Sequence, residues 1–202
     1  MMIRTACAAV VSALILGFGP SANATVIGFT TQLSGPNESP PNNSVGTGNA
    51  VVKFDTLTGM LSIDITFSGL SGTTTASHIH CCTAVPQAGT AGVATQTPFF
   101  VGFPIGVTSG TYSHIFDMSL SSSYNGAFIA ANGGSVPAAE AALIAGIEAG
   151  KSYLNVHSTF RPGGEIRGFL VPEPGTLGLF AAGLLGMAVA GRRRIADLIK
   201  GA

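Results

Sequence analysis

Apolar and polar residues alternate strictly along residues 61–67, and this period-two pattern restricts the fold more than any other feature of the chain. Successive residues of an extended strand point to opposite faces of a sheet, so the pattern predicts one buried face and one solvent-exposed face. Residues 50–54 show the same alternation, and residues 55–59 between the two segments have the composition of a hairpin connection. The two segments therefore predict a pair of antiparallel strands.

Further segments favour strands for the same reason. They are residues 26–33, 77–82, 113–119, 152–158 and 165–171. The chain has 28 Gly, 11 Pro and no Trp, and turn-forming residues separate the segments. Seven short strands divided in this way predict an all-β domain built as an antiparallel sandwich or barrel. One Ala-rich stretch, residues 137–149, predicts a single short helix with Pro137 in its first turn. Residues 83–111 are rich in Gly, Pro and Thr, and we expect them to form a long surface connection.

The N-terminal segment has the order of a secretory leader. Arg4 precedes a short uncharged apolar run, and residues 22–24 (Ala-Asn-Ala) match a small-residue cleavage site. This pattern predicts a signal peptide over residues 1–24 that is cleaved after Ala24. An uncleaved membrane anchor is the alternative, and the shortness of the apolar run argues against it.

The C-terminal segment has the pattern of a membrane anchor. Residues 176–191 carry no charge, and as a helix they would span about 24 Å, a little less than the ~30 Å hydrocarbon core of a bilayer. Arg192, Arg193 and Arg194 follow directly, and adjacent cations of this kind stop translocation and stay on the cytoplasmic side. We therefore predict a transmembrane helix at about residues 176–191.

A short motif before this helix suggests how the anchor is used. Pro172, Glu173 and Pro174 precede the apolar segment and its arginine cluster. In this order the three features resemble the PEP-CTERM sorting signal of Gram-negative bacteria, here residues 172–202. The resemblance implies a precursor held in the inner membrane, processing near the motif by an exosortase-type enzyme, and delivery to the cell surface or extracellular matrix.

The segment between the two ends, residues 25–171, carries a second resemblance. Its pieces are residues 35–41 (GPNESPP), 77–80 (SHIH), 153–158 (YLNVHS) and 162–168 (PGGEIRG). In this order they resemble the CHRD domain, which is named after chordin and occurs in bacterial exported proteins. The resemblance implies an all-β, immunoglobulin-like fold and an extracellular location, and it implies no settled biochemical activity.

Three histidines are the candidate metal ligands. His78 and His80 lie two residues apart, so a strand places them on one face. His157 lies on the face of its strand opposite Leu154 and Val156. If the two strands are neighbours, the three imidazoles meet, and three histidines with an open fourth position suit zinc or copper. The alternative is a structural role, with the imidazoles hydrogen-bonded to neighbouring loops.

Several other residues have open roles at this stage. Cys81 and Cys82 are the two cysteines that remain after signal cleavage. Their possible roles are a buried thiol, a disulfide bridge between the neighbours, an inter-chain bridge and metal ligation. Cys82 joins the histidine face if its strand continues that far. Glu165 and Arg167 share a strand face, which favours an ion pair or contacts to a loop. Glu38 lies in a proline-flanked turn, where a carboxylate commonly accepts backbone N–H groups.

The sequence contains no nucleophile signature, phosphate-binding loop or Cys-x-x-Cys motif, so we expect no enzyme, no catalytic residue and no obligatory cofactor. The formal net charge of +0 does not favour nucleic acid as a partner. The leading hypothesis is a non-enzymatic, exported binding or scaffolding protein. Its expected partners are an exosortase-type enzyme, the inner membrane, and extracellular polysaccharide or other surface proteins. The alternative is a zinc- or copper-binding domain that uses His78, His80 and His157.

Overall fold

The computed structural model describes residues 25–173 of the chain. The predicted signal peptide at residues 1–24 and the predicted transmembrane helix at about residues 176–191 lie outside the described residues. Between residues 25 and 173, no helix combines the length and the apolar character needed to cross a membrane.

Antiparallel strands make up most of the regular secondary structure of the described chain. They are β1 (Val26–Ser34), β2 (Thr47–Asp55), β3 (Met60–Ser68), β4 (Thr74–His80), β5 (Gly110–Asp117), β6 (Tyr153–Ser158), β7 (Ile166–Phe169) and β8 (Val171–Pro172). The strands form one sheet in the order β4–β6–β7–β1–β2–β3–β5, and β8 pairs with β1. This sheet curls around a single core to which strands from both of its ends contribute. The prediction of an all-β antiparallel domain is confirmed, and its immunoglobulin-like character stays a prediction.

The β2–β3 hairpin follows the alternation that its sequence predicts. Phe54 pairs with Leu61, and the inward residues of β3 are almost completely buried, with Ile63 0% and Ile65 1% exposed. A carboxylate oxygen of Asp55 accepts the backbone N–H groups of the next residues, which closes the turn. Gly59 adopts φ +67° at the end of that turn, a conformation that favours glycine.

The predicted helix is present, and the structure adds a second one. Residues 137–149 were expected to be helical, and α2 spans Val136–Glu148 after the short helix α1, Gly126–Ala131. The prediction of a single helix is therefore wrong. The side chain of Asn125 accepts the N–H of Ala127 and caps α1. Six residues are too few for a periodic apolar pattern, so α1 could not be predicted from the sequence.

The connection between β4 and β5 is only partly a surface loop. Most of residues 83–111 are exposed or half-buried, as predicted, but Ala94, Phe100 and Phe103 enter the core, which was not predicted. Phe100 is 0% exposed, and its ring packs 5.8 Å from the Tyr112 ring and 5.5 Å from the Phe116 ring of β5. Phe103 also packs against Tyr112, at 5.5 Å. The segment therefore supplies apolar volume to the core while also passing over the outside of β4.

The last predicted strand is divided into two. Leu170 lies between β7 and β8, its side chain is fully buried, and its N–H bonds to the carbonyl of Ser152 rather than to β1. β8 then pairs with β1 at Phe29 and Thr30. The N–H of Glu173 bonds to the carbonyl of Gly28, so the first residues of the sorting motif are attached to the sheet.

Candidate functional site

The pairing of β4 with β6 brings the three candidate histidines together. In this register Ala76 is opposite His157, and His78 is opposite Asn155. The histidines are 6%, 8% and 9% exposed in chain order, and one ring nitrogen of each lies within 4.8 Å of the others. The imidazoles project from the polar face of the two strands, while Ile79 and Leu154 enter the core from the opposite face. The neighbouring strands required by the sequence hypothesis are thus present.

Each imidazole uses one nitrogen to contact a backbone carbonyl. His78 Nε2 lies 2.6 Å from the oxygen of Pro98, and His80 Nδ1 lies 2.9 Å from the oxygen of Ala91. His157 Nδ1 lies 2.9 Å from the carbonyl oxygen of the turn after β6, at residue 162. A carbonyl only accepts hydrogen bonds, so each of these nitrogens carries the hydrogen. The three contacts therefore fix the tautomer and the orientation of each ring.

The remaining nitrogens face one another. His78 Nδ1 lies 3.3 Å from His157 Nε2. The Nε2 atom of His80 is buried and has no hydrogen-bond partner among the residues that the structure describes. In a neutral imidazole the nitrogen without hydrogen has a lone pair. The cluster thus presents three inward lone pairs.

Burial keeps the histidines neutral. Loss of hydration is the main cause that lowers the pKa of all three imidazoles, and it lowers the pKa of His80 to about 4. The carbonyl contacts act in the opposite direction, and the nearby histidines add to the lowering for His78 and His80. An imidazolium at this position is disfavoured because a buried cation loses its hydration.

Aromatic contacts hold His80 in place. The ring of His80 stacks on the ring of Tyr153 at 4.8 Å with an interplanar angle of 6°. The Tyr153 hydroxyl contacts both the N–H and the carbonyl of Ala91, at 3.2 Å each. Since Ala91 also accepts from His80, the loop, the tyrosine and the histidine form one connected unit.

A cavity of about 600 Å³ lies beside this unit. Glu38 and Arg167 line it, and the Arg167 Nε atom lies 3.7 Å from a carboxylate oxygen of Glu38. The guanidinium lies 4.5 Å above the Tyr153 ring and 5.6 Å from the Phe169 ring. It also donates to the carbonyls of Asn37 and Gly89, at 2.6 and 3.0 Å. Arg167 therefore fixes the cavity wall through contacts to two loops.

The carboxyl group of Glu38 has few polar contacts to replace the hydration that it loses on burial. It is 8% exposed, and its Oε1 atom has no hydrogen-bond partner within residues 25–173. Burial raises the pKa of this carboxyl to about 7, although the Arg167 charge and the N–H of Ser39 act to lower it. The expected contact to a backbone N–H is thus present, but the neighbouring arginine was not predicted. The sequence separates these two residues by more than a hundred positions, so no local pattern pairs them.

Glu165 does not pair with Arg167. Its carboxylate accepts from Ser44 Oγ at 2.5 Å, from the backbone N–H of Ser71 at 2.6 Å, and from Ser158 Oγ. Burial acts to raise the pKa of Glu165, but the combined hydrogen bonds lower it below the usual value. Of the two predicted roles, the ion pair is wrong and the loop contact is correct. Glu165 is a structural tether that joins its own turn to two loops and the end of β6.

The two cysteines are joined to each other by a disulfide bond. β4 ends at His80, so Cys82 does not join the histidine face. Cys81 is buried and Cys82 is exposed. Of the options that the sequence left open, the bridge between neighbours is the one in the structure.

The sequence located the three histidines, but it did not identify the carbonyl groups that orient them. Pro98 and Ala91 belong to the long connection that was expected on the surface. Backbone carbonyls carry no residue-type signal, so only the folded loop reveals them.

Comparisons with known families match two segments of the chain. A family model described as the CHRD domain matches residues 29–170, and one described as the PEP-CTERM protein-sorting motif matches residues 170–194. Both resemblances seen in the sequence are confirmed. No curated protein and no solved structure matches the chain.

Proposed function

Since the chain belongs to the CHRD-domain family, we propose that it acts at the cell surface or in the extracellular matrix as a non-enzymatic binding or scaffolding module. Its PEP-CTERM motif implies an exported precursor that is anchored in the membrane and processed by an exosortase. The surface or matrix destination and the binding role belong to the proposal. Extracellular polysaccharide is the partner that we infer.

The observation that supports a binding role is the cavity at Glu38 and Arg167. Its volume of about 600 Å³ lies within the ~300–1,000 Å³ typical of ligand sites. Above its raised pKa of about 7, Glu38 is ionised and balances the charge of Arg167, so the pair then gives the cavity little net preference for an anion or a cation. Gln32, Asn37 and Gln87 add side-chain amides that can donate and accept hydrogen bonds. Such a lining favours a neutral ligand with many hydroxyl groups.

The ring of Phe169 adds an apolar surface to the same cavity. Its partly exposed ring lies beside the Arg167 guanidinium, which is itself held by backbone carbonyls. A sugar ring offers both an apolar face of C–H groups and a rim of hydroxyls, so it matches a lining of one aromatic ring and several amides. A neutral polysaccharide segment is therefore the ligand class that fits the cavity best.

Electrophoresis through gels containing polysaccharide tests the binding role. The full chain should be retarded in gels that contain neutral glucan, mannan or galactan, and less so in gels that contain the polyuronate alginate. Phe169→Ala should remove most of the retardation, whereas Phe160→Ala changes an exposed ring outside the cavity and should not. Equal migration with and without every polysaccharide, or full retardation of Phe169→Ala, would contradict the proposal.

Deleting residues 174–202 tests the sorting part of the proposal separately. This truncation retains all the residues that pack in the described domain and removes the apolar segment and the arginine cluster. We expect the protein to move from the membrane and surface fractions to the soluble periplasm or the medium. Unchanged fractionation would refute anchoring by this segment, whatever the cavity binds.

A further inference from the structure

The three histidines form a prearranged site whose inward ring nitrogens carry no hydrogen. The carbonyl contacts of His78, His80 and His157 occupy one N–H group on each ring. A neutral imidazole has only one such hydrogen. None is then left for the nitrogens that face inward, and these are His78 Nδ1, His80 Nε2 and His157 Nε2. A structural role based on hydrogen bonds alone satisfies the outward nitrogens but leaves the inward ones facing one another.

The closest pair of inward nitrogens has the separation of two ligands on one metal ion. His78 Nδ1 and His157 Nε2 are 3.3 Å apart. Two nitrogens bound at ~2.0–2.1 Å to a tetrahedral ion lie about 3.3–3.4 Å from each other, by simple trigonometry. Without a shared proton or cation, two lone pairs at this separation repel. The observed spacing therefore matches an ion bridging the pair.

The third inward nitrogen is close enough to complete the set. One ring nitrogen of each histidine lies within 4.8 Å of those of the other two. From that upper limit, a movement of about 1.4 Å by His80 reaches the ~3.4 Å spacing expected for a tetrahedral site. His80 Nε2 is buried and finds no hydrogen-bond partner in the described part of the chain. Binding an ion would supply the contact that this atom lacks.

We propose that His78 Nδ1, His80 Nε2 and His157 Nε2 bind one zinc or copper ion. Imidazole is a preferred ligand of both metals. The outward contacts support this assignment, because metal-bound histidines almost always donate their other N–H to a carbonyl or carboxylate, which fixes the ring. Here the carbonyls of Pro98, Ala91 and Pro162 provide all three contacts.

The site differs from a surface cluster in its burial. Each histidine is less than one-tenth exposed, and Tyr153 stacks on His80. The long connection between β4 and β5 covers the strands and provides two of the orienting carbonyls. Little reorganisation is then needed when the ion binds, which favours high affinity. The inference goes beyond the proposed function, because metal binding does not depend on the cavity or on sorting.

Titration of the full chain in detergent, without a histidine tag, tests the site. The wild-type protein should bind one equivalent of Zn²⁺ by calorimetry. His80→Ala should weaken binding at least 10-fold, because it removes one of three ligands. His114→Ala is the matched control: His114 is the one other histidine of the sequence, it lies on β5 and packs against Phe116, and its loss should leave binding unchanged. Absence of binding of both Zn²⁺ and Cu²⁺ by the wild type, or equal Zn²⁺ affinity in His80→Ala, would overturn the assignment.

A spectroscopic measurement keeps the test decisive if His80→Ala does not fold. Cu²⁺ bound to the wild-type chain should give an electron paramagnetic resonance spectrum with hyperfine coupling to three imidazole nitrogens. The His114→Ala protein should give the same spectrum. Coupling to fewer than three nitrogens, or a spectrum that changes in His114→Ala, would overturn the proposed ligand set.

Discussion

The carboxylate of Glu165 joins several separate parts of the domain. It accepts hydrogen bonds from Ser44, from the backbone at residues 71 and 72, and from Ser158. The side chain is 0% exposed. Each donor would be left unsatisfied in the interior if the carboxylate were lost, and an unsatisfied buried group costs stability.

Glu165→Gln should therefore destabilise the domain strongly. An amide replaces one accepting oxygen with an NH₂ group, which faces donors that it cannot accept from. We expect the free energy of unfolding to fall by about 2–4 kcal/mol, measured by urea denaturation. Glu148→Gln on the exposed side of α2 is the matched control and should change the free energy by less than about 0.5 kcal/mol. A neutral result for Glu165→Gln would show that the tether is not structural.

Glu38 makes the stability depend on pH in a predictable direction. Burial raises its pKa to about 7 in the folded state from a usual value of 4.5. Between these values the folded protein holds more protons than the unfolded chain, so stability falls as the pH rises. The neutral Glu38 carboxyl makes its full contribution to the stability of the fold below pH 4.5, and this contribution is lost above pH 7.

Comparison of the wild type with Glu38→Gln isolates this effect. The histidines have lowered pKa values and act in the opposite sense, but they are the same in both proteins and cancel in the difference. We expect the stability of Glu38→Gln relative to the wild type to increase from pH 5 to pH 8, measured by urea unfolding at several pH values. A difference that stays constant over this range would mean that the carboxyl has an ordinary pKa.

Among the elements, α2 is closely packed against the disulfide. A Cβ atom added at Gly146 would lie 2.3 Å from the Cys82 sulfur and 2.4 Å from the Cys81 sulfur. These atoms are fixed by their bond to each other, so they cannot move aside as the end of a flexible side chain would. The glycine is thus required by close approach rather than by backbone conformation.

Gly146→Ala should destabilise the domain although alanine is the better helix former. The gain in helix propensity is about 1 kcal/mol, and overpacking against the disulfide costs about 1–3 kcal/mol, so we expect a net loss or at best no gain in thermal stability. Gly126→Ala at the start of α1 is the control, since nothing lies within 4 Å of the added Cβ, and it should be neutral or slightly stabilising. A clear stabilisation by Gly146→Ala would contradict the close packing.

The elements also show which parts of the fold can be predicted from sequence. The β2–β3 hairpin and α2 were predicted because alternation and helical composition are local signals; β3 and α2 agree to within one residue at each end, whereas β2 begins three residues earlier than predicted. Helix α1 was missed because it is short and depends on the cap at Asn125. The burial of Phe100 was missed because a loop's place in the core depends on the space left between distant strands.

At the scale of the whole molecule, the candidate site combines local and long-range information. The spacing of His78 and His80 is local and was read from the sequence, and the meeting with His157 required β4 and β6 to be neighbours, which the sheet provides. The pairing of Glu38 with Arg167 and the contacts of the orienting carbonyls join segments that meet only in the folded chain. Residue types therefore predicted the possible ligands but not their supporting contacts.

The whole molecule also links the domain to its sorting segment. β8 and Glu173 are hydrogen-bonded to β1, so the sorting motif begins on the sheet itself. The histidine site lies on β4 and β6, across β7 from β1. Binding of an ion at the histidines and processing near the motif therefore involve different parts of the sheet.

Anomalous X-ray diffraction from crystals of the zinc-loaded protein measures the metal site most directly. The assignment predicts one strong peak about 2.0–2.1 Å from His78 Nδ1, His80 Nε2 and His157 Nε2, with the outward nitrogens still bonded to the three carbonyls. Zinc bound only at other positions, with the three imidazoles in unchanged contact with one another, would contradict it.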